Sequence, residues 1–364
     1  MQDGATMTAK PDRADGFARS FARELAAGLR HHGLLFAGGA TIFAVGYILS
    51  LMSGHLLAAS PLGFAVTYVG IAGLIVGLAI LLYKFFAMAF VERPERPLAE
   101  LLRWVRYDIL SPPRLANGTN GMIFVFLLMG GFTMAKNNVS RFGGFRWDTE
   151  LAELDRLLHF GSYPHEWLQP LLGHPWVTML IDRNYVLWFP VLFASCFIAA
   201  FQNQRSFMRH RFLLSLLFAW GLGGMAMAIT LSSAGPVYFA QVTGLADPYA
   251  AHFAYLRSVD GLLELKALGI QDKLWATYAA EPSVSLISAM PSMHSTITVL
   301  VCIACWPQGG WLRIVVSAFT VLILIGSVHL GWHYAADAYA GIAIALLAWF
   351  LSGRISAWYL GRQA

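Results

Sequence analysis

The chain has 364 residues, 57% of them hydrophobic and only 12% charged, with a mean hydropathy of +0.59. That balance excludes an ordinary soluble domain and identifies a polytopic membrane protein. The formal charge of +5 points first to membrane topology and not to an acidic partner, and no nucleic-acid partner is expected.

Taken in chain order, residues 1–33 form a polar, amphipathic segment. It lacks a short apolar core followed by a small-residue cleavage site, so no removable signal peptide is expected. Apolar runs long enough to cross a bilayer at about 1.5 Å per residue lie at 34–53 and 62–90, the two leading spans of a 34–91 unit. The polar connection 92–120, with Pro94, Pro97, Pro112, Pro113 and the turn-prone Asn117-Gly118, reads as a module boundary. Further spans follow at 187–202, 211–232, 311–328 and 336–360, with shorter ones at 121–135 and 292–306. The expectation is an all-α bundle of about eight transmembrane helices.

Basic residues alternate with the spans as the positive-inside rule requires. Arg13, Arg19, Arg23 and Arg30 precede the first span, and Lys84, Arg93, Arg96, Arg103, Arg106 and Arg114 crowd the second connection. Arg205, Arg209 and Arg211 fill the fourth, which places all three groups, and both termini, in the cytoplasm. The first connection, with Gly54, His55 and Pro61, has no Lys or Arg, and 233–291 carries only Arg257, Lys266 and Lys273. Those segments face outward. The connections 136–184 and 233–291 are long for a helical bundle and rich in Trp, Tyr, His and Pro, which predicts interfacial helices or a cap over the outer mouth.

The cysteines are Cys196, Cys302 and Cys305; the last two have CxxC spacing but no second pair, so they read as buried thiols. Asp182-Arg183 and Trp147-Asp148 read as anchoring and salt-bridge features, and Trp188-Phe189 and Trp358-Tyr359 as membrane-belt aromatics.

The chemistry concentrates in residues 288–341. Pro291-Ser292-Met293-His294 reads as a helix start with proline first and the next three residues in the opening turn, where free N–H groups and the positive dipole end suit a phosphate. Downstream, His329, His333 and Asp337 are spaced four apart, which on one helix gives them one face. The topology puts His294 and His333 at the same depth on the same side. Two imidazoles and a carboxylate there match the needs of phosphoryl transfer: His333 as nucleophile, Asp337 holding its far ring nitrogen, and His294 protonating the departing oxygen. Histidines titrate near neutral pH, so neither role demands an extreme shift.

These residues resemble the type 2 phosphatidic acid phosphatase superfamily, with its PSGH element and its SRxxxxxHxxxD element. Pro291–His294 looks like the first, and His333-Tyr334-Ala335-Ala336-Asp337 like the end of the second. The AMPSxH and GxHYxxD forms are closest to the branch containing inositol phosphorylceramide synthase. The resemblance implies a six-helix catalytic bundle, here 121–360, with Ser292 contacting the phosphate, no metal and no cofactor. It implies a phospholipid or sphingolipid substrate, and transfer of a phosphoryl or phospho-headgroup to water or a lipid hydroxyl. The site would lie on the periplasmic face of a bacterial inner membrane.

The chain also departs from the family's pattern. Ser327 stands where phosphatases carry arginine, Gly326 where they carry serine, and no KxxxxxxRP element precedes them; the nearest region, Gly235-Pro236-Val237-Tyr238, has no cation. Tyr238 and Ser327 are therefore expected as substrate contacts. Arg257, Arg183 or Lys273 is expected to meet the phosphate charge, or else the substrate is a less charged phosphodiester. The rival readings are a transporter with His329, His333 and Asp337 as an intramembrane relay, a metal-binding membrane enzyme using the same three side chains, and an inactive scaffold.

Overall fold

The computed structural model describes residues 16–54, 61–203, 205–282 and 285–362. Arg13 and His55 lie outside them. Among the described residues there is no strand, and seven helices are long and apolar enough to cross a membrane: Gly33–Ser53, Gly73–Glu92, Pro112–Lys136, Pro175–Ala200, Phe207–Thr230, Gly310–His329 and Ala335–Gly361. The protein is an all-α polytopic membrane bundle.

Proline opens the helices Pro61–Ala87, Pro112–Lys136 and Pro175–Val186, where a missing N–H costs nothing. Ser206 caps Phe207–Phe218 by accepting the Arg209 N–H.

Two spans are longer than hydropathy predicts. The run at 121–135 belongs to a helix that begins at Pro112, because Asn117 and Asn120 are satisfied inside the protein. The Asn117 amide donates to the carbonyls of Gln202 and Asn203, and that of Asn120 to the Leu25 carbonyl. The span expected from 187 is preceded by the helix Pro175–Val186, with which it forms one 26-residue stretch, so the connection predicted to run to 184 ends near 174. Asp182 is tolerated there because it accepts the backbone N–H groups of Lys266 and Ala267 and pairs with Arg183 at 3.0 Å.

A third stretch is shorter. The expected span 292–306 is the 13-residue helix Met293–Cys305. At about 1.5 Å per residue it is well under the roughly 30 Å of a hydrocarbon core.

The main core joins Phe124 and Leu128 of Pro112–Lys136 to Leu192, Leu213, Leu216, Ile297, Leu300, Ile323 and Ala345 from the helices that follow. The leading helix Gly33–Ser53 packs backbone to backbone on Pro112–Lys136. A Cβ at Gly46 would come 2.1 Å from the Gly131 carbonyl oxygen, so only glycine allows that approach.

The two long connections fold into helices: Asp148–Leu158 and Pro164–Leu172 in the first, Ala250–Leu263 and Lys266–Ala280 in the second. Leu151, Phe239, Tyr249, Met290, Tyr334 and Ala336 form a small core that ties these helices to the end of the bundle bearing His333.

Candidate active site

Residues 285–291 run as a non-helical strap pinned to Ser233. The Ala289 N–H donates to the Ser233 carbonyl at 2.9 Å, and the Met290 N–H to the Ser233 hydroxyl at 3.0 Å. Ser292 then caps the helix Met293–Cys305, its hydroxyl accepting the Ser295 N–H at 3.3 Å and the Ser295 hydroxyl at 3.0 Å. Pro291 therefore lies just before the cap and His294 in the first turn. Ser292 is fully buried.

The second motif departs from the expected single helix. Gly310–His329 ends at His329, and a new helix starts at Ala335. Gly331, at φ +70°, makes the break, in a conformation that disfavours any side chain. His333 sits in the turn, its N–H donating to the Ser327 carbonyl at 3.0 Å. Asp337 is the third residue of the new helix, and its carboxylate reaches back to the Tyr334 N–H at 3.0 Å. The same oxygen, Oδ2, faces His333 Nδ1 at 3.3 Å. The four-residue spacing thus brings His333 to Asp337 across a helix N-terminus instead of along one face.

The two motifs meet at backbone level. The Ser292 N–H donates to the Asp337 carbonyl at 3.0 Å. A Cβ at Gly341 would come 2.7 Å from the Ser292 carbonyl oxygen, so the helices bearing the motifs touch there without a side chain between them. The His294 and His333 rings lie 6.0 Å apart, centroid to centroid. His294 is held between aromatic rings: Tyr185 stacks on it at 4.6 Å and Trp188 packs against it at 4.1 Å, tilted by 36°. The Trp188 indole also donates to the His294 carbonyl, so Trp188 is a buried support for the site and not a belt aromatic.

The PAP2 superfamily model matches residues 149–351, more than half the chain and inclusive of both motifs. The chain belongs to the PAP2 superfamily. Its members are generally phosphatases and phosphotransferases. No curated protein and no solved structure matches the chain.

Around these PAP2 motifs the structure adds two carboxylates: Asp148, expected from the sequence as an anchoring and salt-bridge residue, and Asp155, which had no expected role. Asp148 is buried and, among the described residues, makes no salt bridge; its oxygens accept the N–H groups of Ala234 and Gly235 and the Tyr334 hydroxyl. The Asp155 carboxylate accepts the N–H groups of Ala335 and Ala336 at 2.7 and 2.8 Å, satisfying the first turn of the helix that carries Asp337. Burial pushes both carboxyls up to about 6 against the opposing pull of those donors, with the nearby Asp337 carboxylate also raising them. The available signal was their spacing: seven apart, two turns, on one face of Asp148–Leu158.

Of the other expected contacts, Ser327 is buried and donates its hydroxyl to the Leu324 carbonyl at 2.8 Å. Tyr238 gives its hydroxyl proton to the Gln271 carbonyl at 2.8 Å. Arg257 forms an exposed, two-pronged ion pair with Asp272 between the helices Ala250–Leu263 and Lys266–Ala280. Arg183 holds Asp182 and the Glu264 carbonyl. Lys273 is exposed.

His329 faces elsewhere: its Nε2 meets the Thr178 hydroxyl at 2.9 Å, and its carbonyl lies 2.9 Å from His252 Nε2. Among the described residues no three His, Cys, Asp or Glu side chains converge as a metal site needs. A small cavity adjoins His333, lined in part by Asp155, His165, Tyr249 and His252 and otherwise largely apolar. Burial lowers the His165 imidazole to about 4, so it is neutral at pH 7.

Proposed function

We propose that this PAP2 protein is a membrane lipid phosphotransferase or phosphatase that works through a phosphohistidine at His333, in the manner of the inositol phosphorylceramide synthase branch. The observation that carries the reading is the approach of the two motif imidazoles, 6.0 Å between centroids, with the Asp337 carboxylate behind one of them.

His333 keeps its Nδ1 proton against Asp337, which leaves the Nε2 lone pair for phosphorus. Attack forms the N–P bond and breaks the bond to the lipid oxygen, which takes a proton from His294. His294 then removes a proton from water or a lipid hydroxyl; that oxygen attacks phosphorus, the N–P bond breaks, and His333 is regenerated. Ser292 stands at the helix N-terminus beside this space, where an anion is favoured. The substrate is a phospholipid or sphingolipid presented from the bilayer, and the sparse basic residues of 233–291 support a site on the periplasmic face of a bacterial inner membrane.

The test is incubation of the purified protein with radiolabelled phosphatidic acid, a phosphoinositide and ceramide. The expected result is labelled product and an acid-labile label on the protein, both absent in His333→Ala. Turnover by His333→Ala would overturn the reading.

A further inference from the structure

The loss of the arginine and of the KxxxxxxRP element leaves the phosphate without its usual cations, and Arg257 and Arg183 are already paired. One cation fits the vacancy. Lys136 is the last residue of Pro112–Lys136, a helix that precedes the superfamily match. It is half-buried and, among the described residues, has no carboxylate or hydrogen-bond partner; its Nζ lies over the Phe132 ring, 5.9 Å from the centroid.

Packing carries Lys136 to the motif. Phe132 lies 4.2 Å from Trp220, centroid to centroid, and both rings press on Gly224. At the adjacent Gly223, a Cβ would come 3.2 Å from Met293 Sδ and 3.4 Å from Pro291 Cγ. The next residue, Asn137, accepts the Ser285 N–H at the start of the strap leading to Pro291. The Lys136 charge acts on both His294 and His333.

A sheltered ammonium with no counter-ion is costly unless an anion joins it. The geometry points to Lys136 as the phosphate-binding cation of the site, a single point charge that favours a singly charged phosphodiester lipid over a doubly charged phosphomonoester. A phosphomonoester carries close to two charges at neutral pH, which suits the arginine clamp this chain lacks. A diester carries one, which Lys136 balances. This deepens the phosphotransferase reading and rests on it: the donor is a diester lipid, and the group moved is a phospho-headgroup.

The experiment is isothermal titration of the full chain in nanodiscs with two short lipids, dihexanoyl phosphatidylmethanol as diester and dihexanoyl phosphatidic acid as monoester. The His333→Ala background prevents turnover. The diester should bind more tightly than the monoester. Lys136→Met should weaken diester binding by about tenfold or more, as expected for one charge-assisted contact, while Lys136→Arg stays within a few fold. Lys136→Gln, similar in length and still polar, gives the same comparison if the methionine protein folds poorly.

Unchanged diester binding in both neutral variants, or tighter binding of the monoester, would overturn the proposal. Separate turnover assays on the unmodified protein distinguish the two failures. His333-dependent turnover with Lys136-independent binding sinks the role of Lys136 alone. Lys136-dependent binding without turnover sinks the phosphohistidine reading and leaves Lys136 as an anion site.

Discussion

Tyr334 donates its hydroxyl proton to Asp148 at 2.8 Å, joining residues 186 positions apart. Asp148 also holds the N–H groups of Ala234 and Gly235, so one carboxylate fastens the start of the helix Asp148–Leu158, the 233–235 turn and the loop that carries His333. Tyr334→Phe removes one of these bonds and should cost about 1 kcal/mol. Asp148→Ala strands three donors and should cost about 2–4 kcal/mol. Thermal melting in detergent, with the phenylalanine variant as the milder case, checks the order.

Asp155 holds the first turn of the helix that presents Asp337 and lines the same small cavity as His333. Asp155→Asn exchanges an acceptor for an amide N–H facing the donors of Ala335 and Ala336. The expected outcome is a kcat reduced by about tenfold or more, through a tilted Asp337, with KM moved less. A KM effect with unchanged kcat would assign Asp155 to binding instead.

The same two carboxylates give a pH signature. Both sit at about 6, above the ordinary 3.8, so the folded protein holds their protons more tightly than the unfolded chain. Their contribution is full below the unfolded value and is lost as pH rises through about 6. The melting temperature of the parent protein, measured relative to Asp155→Asn, should therefore rise as the pH falls from about 7 towards 4. A difference that is flat, or falls with acidification, contradicts the assignment.

Gly341 sets the distance between the motif helices. A methyl group there meets the Ser292 carbonyl at 2.7 Å and the Thr296 hydroxyl at 2.9 Å. Gly341→Ala should cost about 1–3 kcal/mol by overpacking and lower activity by moving His294 away from His333. Gly77→Ala, which meets nothing within 4 Å, is the control and should be neutral or mildly stabilising. Activity and melting temperature of the pair, measured together, separate the two cases.

Membrane-length hydropathy and the two short motifs made the bundle and the His294, His333 and Asp337 set legible in the sequence. Polar side chains hid the rest. Asn117, Asn120 and Asp182 lower local hydropathy and conceal how far two spans extend, because their partners are backbone groups distant in sequence. The helix break at Gly331 was hidden for another reason: a spacing of four suits one helical face and also a turn followed by a capped helix. Asp148 looked like a surface anchor because nothing local to it reveals that its donors lie at 234, 235 and 334.

Pro112–Lys136 lies outside the segment by which the superfamily is identified, yet it supplies Phe124, Leu128 and Lys136. Recognition and autonomy therefore have different borders in this protein. A fragment trimmed to 149–351 would open its own interior to lipid and detergent along one wall. Expression work should begin upstream of Ser111, whatever the sequence match marks as its first residue.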